Sequence, residues 1–95
     1  MKTLFYIVIK MKVHGGMIDY GRFYVGDDVE FASDLYQKLE GHLDPESQFM
    51  LHIDLIECSE DTSVVLQRKG CSLEELTENC RFITRETFKF LNLEK

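Results

Sequence analysis

Ninety-five residues suffice for one domain with a thin core, and a 44% hydrophobic content with one proline and six glycines belongs to a folding chain, not a disordered one. Seventeen acidic against eleven basic residues give a net charge of -6, which repels phosphate backbones and argues against nucleic acid as a partner. No apolar run reaches the length of a bilayer span and no lipidation motif is visible; the three cysteines, without CxxC spacing, indicate neither a disulfide framework nor a zinc site. The expectation is a soluble domain in a reducing cytoplasm, with no membrane contact.

In chain order, residues 4 to 13 are rich in Phe, Tyr, Ile and Val and predict a strand; Lys10 and Lys12 break the apolar start that would otherwise resemble a signal peptide. A tight turn at Gly15-Gly16 and a returning strand over 18 to 25 complete a hairpin. Asp27 and Glu30 form a capping box for a helix over 27 to 40, whose buried stripe is Val29, Ala32, Leu35, Tyr36 and Leu39. Gly41 stops that helix, and the connection 42 to 47 holds the only proline, Pro45. Residues 49 to 58 and 62 to 69 predict a second hairpin about a turn at 59 to 61. After Gly70, a capping box of Ser72 and Glu75 opens a helix over 72 to 91 that buries Leu73, Leu76, Cys80, Ile83 and Thr87.

A shift of 44 residues, from Gly26 to Gly70, lays the first half on the second. Phe5 falls on Phe49, Ile9 on Ile53, Ala32 on Leu76 and Leu39 on Ile83, with the hairpin turns expected to coincide. The whole chain, residues 1 to 95, is therefore expected to be a single ββαββα domain of the α+β class, a tandem ββα pseudo-repeat. Its two layers are a four-stranded antiparallel sheet in the order 2-1-3-4 and two helices on one of its faces.

One sheet face is then left bare. A Gly15-Gly16 turn pairs Val13 with Ile18, Met11 with Tyr20 and Ile7 with Tyr24, turning that set towards the helices. Tyr6, Val8, Phe23, Val25, Met50 and Ile56 fall on the bare face, a patch too apolar for an ordinary wet surface. It predicts a homodimer or a protein partner, unless the register is shifted and some of these side chains are core. The C-terminal stretch carries Phe88 and Leu91 on more than one helical face, to be covered either by the chain itself or by a second subunit.

No phosphate loop, nucleophile elbow or dinucleotide fingerprint appears, so no cofactor is expected and no catalytic residue is assigned. Cys71 sits before a helix N-terminus, where a thiol can be activated, but no histidine is placed beside it as a base. His52 and Asp54 share one strand face; two ligands are too few for a metal, and an ion pair of Asp54 with Lys10 is the simpler expectation. The leading function is a non-catalytic interaction module, with a small-molecule-binding or enzymatic dimer as the alternative. That alternative needs a pocket between sheet and helices lined by Tyr20, Arg22, Tyr24 and His52. Nucleic-acid binding through Lys10, Lys12, Arg22, Tyr6 and Phe23 is disfavoured by the net charge.

Overall fold

The computed structural model describes residues 3–43 and 48–92. Its elements run β1 (Leu4–Val13), β2 (Gly16–Gly26), α1 (Val29–Gln37), β3 (Leu51–Ser59), β4 (Thr62–Cys71) and α2 (Leu73–Asn92). The four strands form one antiparallel sheet in the order β2-β1-β3-β4. Both helices pack on the same face, α1 against β1 and β3, α2 against β2, β3 and β4. Pro45 lies outside the described residues.

Local chemistry accounts for the element boundaries. The cap of α1 is Asp28, one residue later than expected, its carboxylate accepting from the backbone N–H groups of Glu30 and Phe31 at 2.9 and 3.1 Å. At α2 the capping box is complete: the Glu75 N–H donates to Ser72 Oγ at 3.2 Å while the Ser72 N–H donates to Glu75 Oε1 at 2.9 Å. The C-terminus of α1 is closed from across the layer by Lys69, whose Nζ donates to the carbonyls of Tyr36 and Leu39 at 3.1 and 2.9 Å and lies 4.8 Å from the centre of the Tyr36 ring. Burial lowers the Lys69 pKa from its ordinary value.

The core joins Phe5, Ile7 and Ile9 of β1 and Ile53 and Leu55 of β3 to Ala32, Leu35, Tyr36 and Leu39 from the α1 region and Leu76 and Ile83 of α2. Val29 and Leu73, expected on the buried stripes, are exposed at the first position of each helix. A buried Asn79 takes a place on the α2 stripe instead. Its side-chain amide meets the backbone of Glu40 twice, Nδ2 donating to the carbonyl and Oδ1 accepting from the N–H, both at 2.8 Å, and so ties α2 to the end of α1.

The first hairpin departs from the expected register. Its turn is His14-Gly15, with Gly15 at φ 94°, and Val13 pairs with Gly16. Two bulges follow in β2: Tyr20 is skipped between the pairs Lys10/Asp19 and Ile9/Gly21, and Val25 between Tyr6/Tyr24 and Phe5/Gly26. The 44-residue shift carries the helix caps onto one another but sends His14-Gly15 to Cys58-Ser59, whereas the second turn lies at Glu60-Asp61. Additional residues between turn and helix in the first half, in β2 and at Asp27-Asp28, absorb the difference.

Tyr36 is fully buried and its hydroxyl donates to the Ile53 carbonyl at 2.6 Å, fixing α1 to the middle of β3. Tyr36→Phe keeps the ring and deletes only this bond; it is expected to lower the unfolding free energy by about 1 kcal/mol, read from urea denaturation midpoints at neutral pH.

Candidate functional site

The sheet face away from the helices is organised as three cross-strand rows. One runs Arg22–Val8–Asp54–Arg68, the next Tyr24–Tyr6–Ile56–Val65, and the third Asp19–Lys10–His52–Gly70. The rows bring together Tyr6, Val8, Ile56, Arg22, Tyr24 and His52 from the residues singled out in the sequence, with Met50 just beyond, exposed before β3.

Phe23 and Val25 do not belong to this face. The Tyr20 bulge adds a residue to β2 and exchanges its faces beyond that point, so Phe23 pairs with Ile7 and packs against the core, and Val25 is buried within it. The same exchange turns Arg22 and Tyr24 outward, away from the helices. Tyr20 and Tyr24 are exposed, so the pocket expected between sheet and helices does not form from Tyr20, Arg22, Tyr24 and His52. Val8 and Ile56 are also less available than expected: each is buried within the monomer, flanked in its row by the long side chains of Arg22, Tyr6, Tyr24 and Arg68.

The anchor of the face is Asp54. Its carboxylate is fully buried and held bidentate by Arg68, Nε at 2.9 and 3.1 Å from the two oxygens and Nη2 at 2.7 Å. The hydrogen bond to Asp54 holds the Arg68 proton above the usual arginine range. Lys10, expected as the partner of Asp54, instead lies 3.5 Å from Asp19. Arg22 is 3.8 Å from the same Asp19, and its guanidinium sits 5.0 Å from the Tyr6 ring centre, with Tyr24 tilted against Tyr6 at 5.5 Å. Both arginines are thus held in place while about half exposed, 52% for Arg22 and 47% for Arg68.

Charge is segregated between the layers. The bare face carries Lys10, Lys12, Arg22 and Arg68 against Asp19 and Asp54. The helices and their caps carry Asp28, Glu30, Asp34, Glu74, Glu75, Glu78 and Glu86 against Lys38, Arg81, Arg85 and Lys89. Sequence order hides this, because the basic residues come from three different strands.

Cys71 closes β4 within the core, 1% exposed, and burial pushes its thiol up to about 11, with the Glu75 charge adding to the shift. Desolvation therefore outweighs the activating influence of the nearby helix N-terminus, and the thiol stays protonated at neutral pH. His42 lies at the same end of the sheet, paired through its backbone with Gly70, but its ring is held on the surface, stacked on Phe49 with ring centres 5.5 Å apart and its Nε2 3.1 Å from Glu75 Oε2. The Ser72 N–H, with help from His42, holds the Glu75 carboxyl below the usual range. Cys58, Cys71 and Cys80 are free thiols, and among the described residues no group of three or more His, Cys, Asp or Glu side chains could hold a metal. No helix among them is long and apolar enough to cross a membrane.

A groove of about 430 Å³ lies between the helices, with Phe31, Leu35, Phe82 and Phe90 among its lining residues. Phe31 and Phe90 stack at 3.9 Å, so the end of α2 folds back onto α1 of its own chain, leaving Leu91 half-buried and Phe88 exposed. The acids at the groove are partly committed: Asp28 caps α1 and Glu86 pairs with Arg85 and Lys89.

The two sheet edges differ. β2 is broken by its bulges and carries Asp19 and Arg22, devices that discourage strand addition. On β4, Val64, Val65 and Leu66 are exposed at 52, 45 and 42%. The only main-chain partner on the outer side of β4 among the described residues is His42, whose N–H and carbonyl bridge to Gly70 at 2.8 Å each. Thr62 to Val65 pairs in unbroken register with β3 ahead of a bulge at Leu66.

Neither a protein-family model, nor a curated protein, nor a solved structure matches this chain.

Proposed function

We propose that the chain is a non-catalytic interaction module of the cytoplasm, forming a homodimer by antiparallel addition of β4 to β4 of a second copy. The observation that carries this reading is the run Val64-Val65-Leu66, apolar and exposed on a strand at the edge of the sheet. Exposed apolar edges template pairing with another chain, and a two-fold contact between identical edges closes without growing into a filament. A contact built on so short an unbroken stretch belongs among the smaller interfaces and exchanges readily. The bare sheet face is a poorer self-contact, because a two-fold axis across it would set its excess of lysine and arginine against the same charges. The matching order of the two ββα halves and their aligned helix caps support descent from a duplicated unit.

The test is sedimentation or light scattering of the wild type and of Val64→Lys. The wild type should dimerise at micromolar concentration, and a lysine in the paired edge should weaken association by at least about tenfold, worth roughly 1.4 kcal/mol. The circular dichroism spectrum should not change. A wild type that stays monomeric at these concentrations rules out the reading.

A further inference from the structure

We infer that the bare sheet face is a docking site for an acidic segment of a partner protein, taken up in extended form across the strands between Arg22 and Arg68. This surface shares β4 with the proposed dimer edge but uses the side chains of Val65 and Arg68 on the sheet face and not the outer backbone of that strand, and it does not depend on dimerisation.

The inference rests first on charge complementarity. In a chain of net charge -6, the one layer that no helix covers carries more bases than acids, Lys10, Lys12, Arg22 and Arg68 against Asp19 and Asp54, because more of the acids lie on the helices and their caps. Such a face attracts a negative surface and repels its own copy, which leaves a different protein as the occupant. Preorganisation is the second ground. Arg22 is laid on the Tyr6 ring and Arg68 is clamped by the buried Asp54 carboxylate, so neither has to give up much rotamer freedom on binding, and each still presents about half its side chain to solvent. Between them the row holds the buried Val8 and the buried Asp54, already neutralised by Arg68, and the adjacent row offers the exposed Tyr24 and Val65 beside the two arginines. The pattern is a pair of cationic anchors, each with an exposed apolar side chain two or three residues along its own strand, Tyr24 beside Arg22 and Val65 beside Arg68.

Spacing defines the ligand further. Arg22 and Arg68 lie on the two outer strands of one row, three inter-strand steps or roughly 14 Å apart. An extended peptide rises about 3.3 Å per residue, so two carboxylates about four residues apart span the pair, with apolar side chains between them. Single-stranded nucleic acid fits less well. It needs open ring faces for its bases, and Tyr6 is already covered by Arg22 and Tyr24.

The experiment uses the full chain and fluorescence anisotropy with three labelled probes. These are a short peptide with two glutamates about four residues apart and leucines between them, the same peptide with glutamine for glutamate, and an oligouridylate of similar length. The glutamate peptide should bind, the glutamine peptide at least about tenfold more weakly, and binding should fall as salt rises. Arg22→Glu, at a half-exposed site whose loss does not strand a buried charge, should reduce peptide affinity by at least about tenfold while Arg81→Glu on the helix layer leaves it within about twofold. Binding of the oligouridylate in preference to both peptides would overturn the proposal, as would equal binding of the two peptides or none by either. Repeating the titration on Val64→Lys separates the surfaces: peptide binding retained by a monomeric variant supports the face site whatever becomes of the β4 dimer. Peptide binding that disappears with the dimer refutes the independence claimed for the face.

Discussion

Arg68→Ala is expected to lower the unfolding free energy by about 3 kcal/mol, the low end of the cost of breaking a buried ion pair. The asymmetry of the pair sets the size. Asp54 is fully buried on a central strand, whereas Arg68 is half exposed on an edge. Removing the arginine leaves a carboxylate in the middle of the sheet face without its two-pronged donor. Removing the aspartate instead lets the guanidinium turn out to water. Asp54→Val should therefore cost no more than about 1 kcal/mol, because valine suits a central strand beside Val8 and no charge is stranded. Urea denaturation of both single variants and the double variant at neutral pH gives the order. The double variant should be more stable than Arg68→Ala alone, and the reverse order would mean that Arg68 stabilises the sheet by packing over Val65 and Ile56 and not by neutralising Asp54.

That ion pair also marks the boundary of what the sequence makes legible. Element order and sheet order follow from signals within a few residues of one another: glycines at strand and helix ends, Ser72 with Glu75, and apolar periods of two and of 3.6. Face assignment depends on register, and register depends on bulges. Moving the first turn from Gly15-Gly16 to His14-Gly15 shifts every pairing by two residues, which leaves each side chain on its expected face. The single residue added at Tyr20 is what exchanges Phe23 with Arg22 and Tyr24. Gly21, isolated inside a strand, is the local trace of that bulge. The bulge at Leu66 acts in the same way on the second hairpin. Continuing the pairing of Ile56 with Val65 outward would set Asp54 opposite Gln67, and the extra residue brings Arg68 there instead. Asn79 shows the other limit. Its place between Leu76 and Ile83 identifies a helix position facing inward, but its partner, the Glu40 backbone, is fixed only once the helices are packed.

Stability should fall steeply above pH 9, by roughly 2 to 3 kcal/mol from Cys71 alone by about pH 11. The thiol ionises near its ordinary 9.0 in the unfolded chain but near 11 in the fold, where burial opposes the charge. Between those values the folded state binds more protons than the unfolded state, so the Cys71 contribution is complete below pH 9 and is lost as the pH rises towards 11. Tyr36 has the same sign. Burial, and then the Asp54 charge, raise its phenol well above the ordinary 10.0, adding a loss that begins above pH 10. General repulsion among carboxylates also grows as lysines deprotonate, so comparison of variants isolates the two groups. In urea melts from about pH 8 to 11, Cys71→Ala should start less stable than the wild type because it empties core volume, yet lose less on the way up. Tyr36→Phe should run parallel to the wild type until about pH 10 and diverge beyond it. Parallel profiles for Cys71→Ala and the wild type would mean that the thiol ionises as easily inside the fold as outside it, and burial at the end of β4 could not then be what keeps it protonated.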